Sequence, residues 1–192
     1  FDYAAVGVPP GWPHLYSGFL AHWNMNSNLS WAFDTWFLNL FPRESPFRFN
    51  DGGWSTLSFI PTLATMMLGT WAGAWLKSPR TQGEKLKGLV VSGVGLTLAG
   101  LVLQWLQLCP IVKRIWTSSY TLYSGGLILL ILAGFYAAIE MRGWKRWSFP
   151  LLVIGANSIA IYIMSWTIEH FVSGALVRHL GAAPFAILGP PF

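Results

Sequence analysis

Charge is scarce in this chain. Only 10% of its 192 residues are Asp, Glu, Lys or Arg, against about 25% in an ordinary soluble domain. With 54% of the residues hydrophobic, that balance argues against a soluble globular fold. Cysteine is scarcer still. The lone Cys109 excludes an intrachain disulfide, and no Cys/His cluster has zinc spacing, so no metal site is expected. No HExxH, nucleophile elbow or dinucleotide fingerprint occurs. Asp51-Gly52-Gly53 is a turn, with no following Lys-Ser/Thr to make a phosphate loop. Repeats, heptads and low-complexity tracts are missing too, and the lack of an inverted repeat argues against a transporter bundle. The net charge of +5 does not point to nucleic acid, because the Lys and Arg residues lie in short loops between apolar runs. Neither an initiator Met nor a signal peptide opens the chain. It is expected to be a segment of a longer polypeptide, or the ordered part of one.

What is abundant is apolar helix. Residues 56–76 carry no charged side chain, and at about 1.5 Å per residue they are long enough to cross a ~30 Å hydrocarbon layer. Ser58, Thr62, Thr65, Gly69 and Ala72 share one helical face, while Gly69 and Gly73 form a small-xxx-small pair suited to close helix approach. Pro61 falls in the first turns, where it starts or kinks the helix. A second span is expected over 88–109, with Gly93, Thr97, Gly100, Gln104 and Gln107 on one face. A third is expected over 117–139, with Ser119, Tyr123 and Gly126 aligned, and a fourth over 148–168, with a stripe of Ser158, Tyr162, Ser165 and Glu169. The fold class is therefore an all-α polytopic transmembrane bundle of at least four spans. The 12 Trp and 13 Phe suit interfacial belts.

Residues 1–55 read differently. The first 28 are rich in Pro, Gly, Trp and Asn, which is loop chemistry. Leu29, Phe33, Trp36, Phe37 and Leu40 then recur at helical spacing, with Ser27 or Asn28 as cap and Pro42 as stop. This predicts a short amphipathic helix over 28–41 that lies at the membrane interface and does not span it. Residues 175–192 are expected to form an exit segment. Loops 77–87 and 140–147 hold seven Lys/Arg, against five at Arg43, Arg48, Lys113, Arg114 and Arg178. Positive-inside bias puts those two loops in the cytoplasm and the N-terminal segment outside.

Candidate chemistry is sparse. His22 lies close in sequence to Asp34, among Asn24, Asn26 and Asn28, and a His with a carboxylate suits general acid/base work. The same asparagines suit turn capping equally well. Glu169 and His170 stand at the end of the fourth span as further catalytic candidates. Asn157, Ser158 and Tyr162 are candidates for holding a cofactor or co-substrate, because polar groups at membrane depth are costly and so point to function. Asn157, Ser158, Tyr162 and Ser165 are expected to face the bundle interior, with Ile159, Ile161 and Ile163 on other sides.

Residues 22–73, beginning HWNMNSNLSWAFDTWF and running through the 56–76 helix, resemble bacterial membrane proteins related to heparan-α-glucosaminide N-acetyltransferase. Asn28-Leu29, Asp34 and Leu40-Phe41-Pro42 carry the match, joined by KRIWTSSYTLYSGG at 113–126 and GANSIAIYI at 155–163. The resemblance implies a membrane-embedded acyltransferase that takes acetyl-CoA from the cytoplasmic side and acetylates an amino sugar on the other. In that family the catalytic His lies in an early segment, upstream of the stretch matched here, so the resemblance assigns no catalytic residue to this chain. The alternative is a non-catalytic membrane subunit of a larger complex, such as a photosynthetic or respiratory energy-transducing assembly. In either case the partners are the lipid bilayer and other membrane subunits or further copies of the chain.

Overall fold

The computed structural model describes residues 1–181, apart from the side chains of Glu169, His170 and Leu180; most of the expected exit segment, 182–192, lies outside the described residues. The regular structure of the described residues is all helix, with no strand. The chain divides into two units, Phe1–Met141 and Arg142–Phe192.

The first unit holds four α-helices: α1 Leu29–Phe37, α2 Phe59–Lys77, α3 Gln82–Trp105 and α4 Ser118–Tyr136. Three of them, α2, α3 and α4 with their short extensions, are long and apolar enough to cross a membrane. Local chemistry sets their ends. Asn28 caps α1, its Oδ1 accepting from Trp31 N–H at 2.9 Å. The helix then tightens into a 3-10 turn at Leu38–Leu40 and stops with Phe41 extended ahead of Pro42. A 3-10 turn at Thr56–Ser58 leads into α2, where Pro61 is in the first turn and breaks no hydrogen bond that the helix could otherwise make.

The third helix begins at Gln82 and not near 88. Thr81 and Glu84 form a reciprocal capping box: Glu84 N–H donates to Thr81 Oγ1, and Thr81 N–H to Glu84 Oε2. The basic loop is thereby reduced to a few residues, with Lys85 and Lys87 standing on the first turns of α3. At its far end α3 stops at Trp105, and Gln107 takes a left-handed φ of 50-odd degrees (55). Thr117 caps α4, accepting from Tyr120 N–H at 3.3 Å.

Packing between α3 and α4 is backbone on backbone. A Cβ at Gly100 would stand 2.8 Å from Ser119 O, and one at Gly126 would stand 2.6 Å from Gly93 O. The faces read for these two helices, Gly93–Thr97–Gly100 and Ser119–Tyr123–Gly126, are the ones that meet. By contrast, nothing lies within 4 Å of a Cβ at Gly69 or Gly73. On α2 the inward residues are Ala72 and Leu68, and Leu68 packs over Gly125. Gly69 and Gly73 permit close approach but no helix of this unit takes it up. The core is Ala72, Leu89, Leu129 and Ala133, ringed by Leu68, Trp75, Leu76, Leu86, Leu96 and Leu132.

The second unit contains α5 Phe149–Ala156, α6 Ser158–Thr167 and α7 Glu169–Leu180. The stretch expected as one span is bent by 75° between α5 and α6. Asn157 makes the break: its backbone leaves the helical region at φ −112, ψ 30, and its Nδ2–H donates to Val153 O at 2.8 Å. An Asn side chain that bonds the preceding turn competes with helix continuation. A second interruption at Ile168 separates Ser165 from Glu169, so the 158–169 stripe is not one helical face.

Candidate functional site

At the end of the first unit where α2 and α4 begin and α3 stops, residues 1–58 fold over the helices. Four buried side chains hold this layer. Asn24 Oδ1 accepts from Tyr16 N–H at 2.8 Å, and its Nδ2–H groups donate to Tyr3 Oη and Tyr16 O. Asn26 donates to Val6 O at 2.9 Å and to Asn50 O at 3.0 Å. Asn28 caps α1 and donates to Asn24 O. Asp34, 3% exposed, accepts from Thr56 N–H at 2.9 Å through Oδ2. Outside this core, Asn39 clamps Phe47 through both its N–H and its C=O. Each asparagine offers an acceptor and two donors. That valence lets one side chain tie segments about twenty residues apart without any regular secondary structure.

The 110–117 turn closes the layer from the other side. Thr117 Oγ1 donates to Pro110 O at 2.8 Å and accepts from Val112 N–H at 3.1 Å; Ser119 Oγ donates to the same Pro110 O at 2.7 Å. Arg114 donates to Gly52 O, with its guanidinium carbon 5.9 Å from the centroid of the Trp54 ring. Trp116 Nε1–H donates to Thr65 Oγ1 at 3.2 Å. Residues from 22–73 and from 113–126 are thereby joined at one place.

Two clefts open there. One, of about 280 Å³, is walled by Trp12, Tyr16 and Trp23, with His14, Lys113 and Arg114 as its charged or titratable side chains. The other, of about 550 Å³, includes His22, Asn28, Ser30, Trp116 and Thr117. Both touch Trp23 and Ile115.

His22 is exposed, stacks edge-on with Phe19 and lines the larger cleft, whereas Asp34 lines neither. The two are not joined as an acid/base pair. Asp34 works instead as a strut between α1 and the start of α2. Its Oδ1 is buried and has no partner in the protein. Glu169 and His170 fall outside the described side chains. Asn157, Ser158 and Tyr162 are exposed on the second unit, as are Ile159, Ile161 and Ile163, so neither side of α6 is turned inward within that unit. Among the described residues no cluster of His, Cys, Asp or Glu could hold a metal.

Arg114, Trp116 and the Thr117–Ser119 pair were not among the residues singled out from sequence as a site. Their partners lie 51 and 62 residues away for Trp116 and Arg114, and only the fold brings them together. No family model, curated protein or solved structure matches the chain.

Proposed function

We propose that this chain is a membrane-embedded, acyl-CoA-dependent acyltransferase-like protein that acts on an amino sugar. In this reading α2, α3 and α4 cross a bacterial inner membrane and the bent α5–α6 pair supplies a fourth span. The loops 77–87 and 140–147 face the cytoplasm, and the layer formed by residues 1–58 faces outside. The arrangement of α1 supports an interfacial position for that helix: Asp34 is its buried residue, while Leu29 and Trp36 are 80% and 60% exposed. Such a helix turns its polar contact to the protein and its apolar side to lipid.

One observation carries the enzymatic part. Two of the three stretches that bear the acyltransferase resemblance, 22–73 and 113–126, meet through Trp116–Thr65 and Arg114–Gly52 and border the adjoining clefts; the third, 155–163, lies in the second unit. The smaller cleft has three aromatic walls. An amino sugar presents flat C–H faces, which aromatic rings attract, and hydroxyl groups that Lys113 and Arg114 can hydrogen-bond. Its volume lies near the lower limit, about 300 Å³, of small-molecule sites, which fits a single sugar ring better than a chain.

The test is transfer of a labelled acetyl group from acetyl-CoA to glucosamine by the full-length protein in detergent, with CoA thiol released in equal amount. The Asp34→Asn variant should keep that transfer, because Asn still offers an acceptor to Thr56 N–H. Absence of both transfer and saturable CoA binding at millimolar ligand would reject the enzyme. Recovery of the chain only in a stable complex with other membrane proteins would favour an accessory subunit. The open Gly69/Gly73 face of α2 suits that second reading.

A further inference from the structure

The opposite end of the first unit carries a second, unrelated feature. Trp75, on the last turn of α2, packs against Gly88 on α3, where any Cβ would strike the indole. Its Nε1–H donates to Lys85 O at 3.1 Å, and its ring stacks on Trp71 with centroids 5.8 Å apart. The Arg80 guanidinium sits over that ring, 4.1 Å from the centroid. The indole therefore fixes a cation at the mouth of the crease between α2 and α3. A cavity of about 350 Å³ opens around it, bordered also by Lys87 and Val91.

Deeper along the same crease is a second cavity of about 340 Å³, walled by Leu68, Trp71, Gly95 and Leu96. The two are stacked. Trp75, Trp71 and Leu68 descend α2 at helical spacing, as Gly88, Ser92 and Leu96 descend α3. From the Trp75 level to the Leu68 level is on the order of 10 Å along the helix. The upper part is cationic and the lower part apolar. Glu84 also borders the upper cavity; its Oε2 accepts from Thr81 N–H at 2.9 Å and Thr81 Oγ1–H at 2.8 Å, and its charge offsets part of that of Arg80, which leaves Lys87 as the cation without a neighbouring carboxylate. Lys87 has no ion pair or hydrogen bond of its own among the described residues.

We propose that this crease holds one anionic phospholipid, with its phosphate-bearing headgroup between Arg80 and Lys87 and an acyl chain along Leu68, Trp71 and Leu96. Cations at the end of an apolar helix sit at headgroup level and attract anionic lipid. The indole at that level holds the guanidinium over its ring, and Trp71 and Leu68 below it offer the apolar surface for the chain. The proposal rests on the reading of α2 and α3 as membrane spans, and is independent of any acyltransferase activity.

Native mass spectrometry of the delipidated full-length protein in detergent tests it. The probes are phosphatidylglycerol, phosphatidylcholine with the same acyl chains, and glycerol 3-phosphate. Phosphatidylglycerol should be retained on the order of tenfold more strongly than phosphatidylcholine. The double variant R80Q/K87Q should erase that preference. Gly95→Leu, which fills the open apolar part, should weaken retention of both lipids without lowering the lipid-free melting temperature. Equal retention of the two lipids, or a preference that survives R80Q/K87Q, would overturn the proposal. So would glycerol 3-phosphate binding as tightly as the lipid, which would indicate a site for a free phosphate. A chain that stays soluble without detergent and ignores vesicles would instead overturn the spans themselves.

Discussion

Gly126→Ala is expected to destabilise the first unit by about 1–3 kcal/mol, the usual cost of forcing a methyl group into a packed interface. The methyl carbon would come within 2.6 Å of Gly93 O and into Thr97. Backbone of α3 cannot swing aside as a flexible side chain can, so the two helices must part. Ala is the better helix former by up to about 1 kcal/mol, which offsets the cost only in part. Gly126→Leu should abolish the α3–α4 contact altogether. Gly69→Ala and Gly73→Ala provide the control, since nothing lies within 4 Å of either added carbon. They should change stability by about 0.5 kcal/mol or less, or raise it slightly through helix propensity. Thermal unfolding of the four variants in one detergent measures the difference. Equal effects at Gly126 and Gly69 would mean that α3 and α4 do not pack through this face.

Asn26→Ala should loosen the layer over the helices without melting the helices beneath it. Asn26 is the donor for Val6 O and Asn50 O, and an orphaned buried carbonyl costs roughly 1–3 kcal/mol. Its backbone φ of 50° adds a smaller penalty for any residue with a Cβ other than Asn or Asp. Asn26→Gly separates the two effects: it removes the backbone penalty and keeps the hydrogen-bond loss, so it should remain destabilising. Limited proteolysis reports the outcome, with cleavage appearing first within residues 1–55 while α3 and α4 stay protected. A variant as resistant as the parent protein would show that Asn26 does not hold the layer.

The helices and the α3–α4 interface were legible in the sequence because both depend on local spacing. Gly93, Thr97 and Gly100 on one helix, and Ser119, Tyr123 and Gly126 on the other, mark faces that do pack. The start of α3 was missed: Thr81-x-x-Glu84 is a capping signal, but the basic residues around it read as loop. Gly69 and Gly73 mislead for a physical reason. A small pair records that close approach is possible, and says nothing of whether a partner is there. The kink at Asn157 was hidden inside an apolar window, where mean composition suggests a continuous helix and one side chain that bonds the previous turn ends it. In the candidate site, proximity in sequence paired His22 with Asp34. The fold gives Asp34 to Thr56 and leaves His22 on the cleft wall. Contacts as distant as Arg114 with Gly52 leave no periodic trace.

In the proposed arrangement α2, α3 and α4 alternate across a membrane, with the asparagine-held layer outside and the α2–α3 connection inside. Single-cysteine labelling tests it most directly, because Cys109 is the only native thiol and Cys109→Ser removes it. On that background Lys113→Cys and Gly83→Cys place thiols at exposed positions at the two ends of the unit. In spheroplasts, an impermeant maleimide should label the Lys113→Cys variant at once and the Gly83→Cys variant only after permeabilisation. Labelling of both from the same side would contradict the crossing of α3, and the reverse pattern would contradict the orientation.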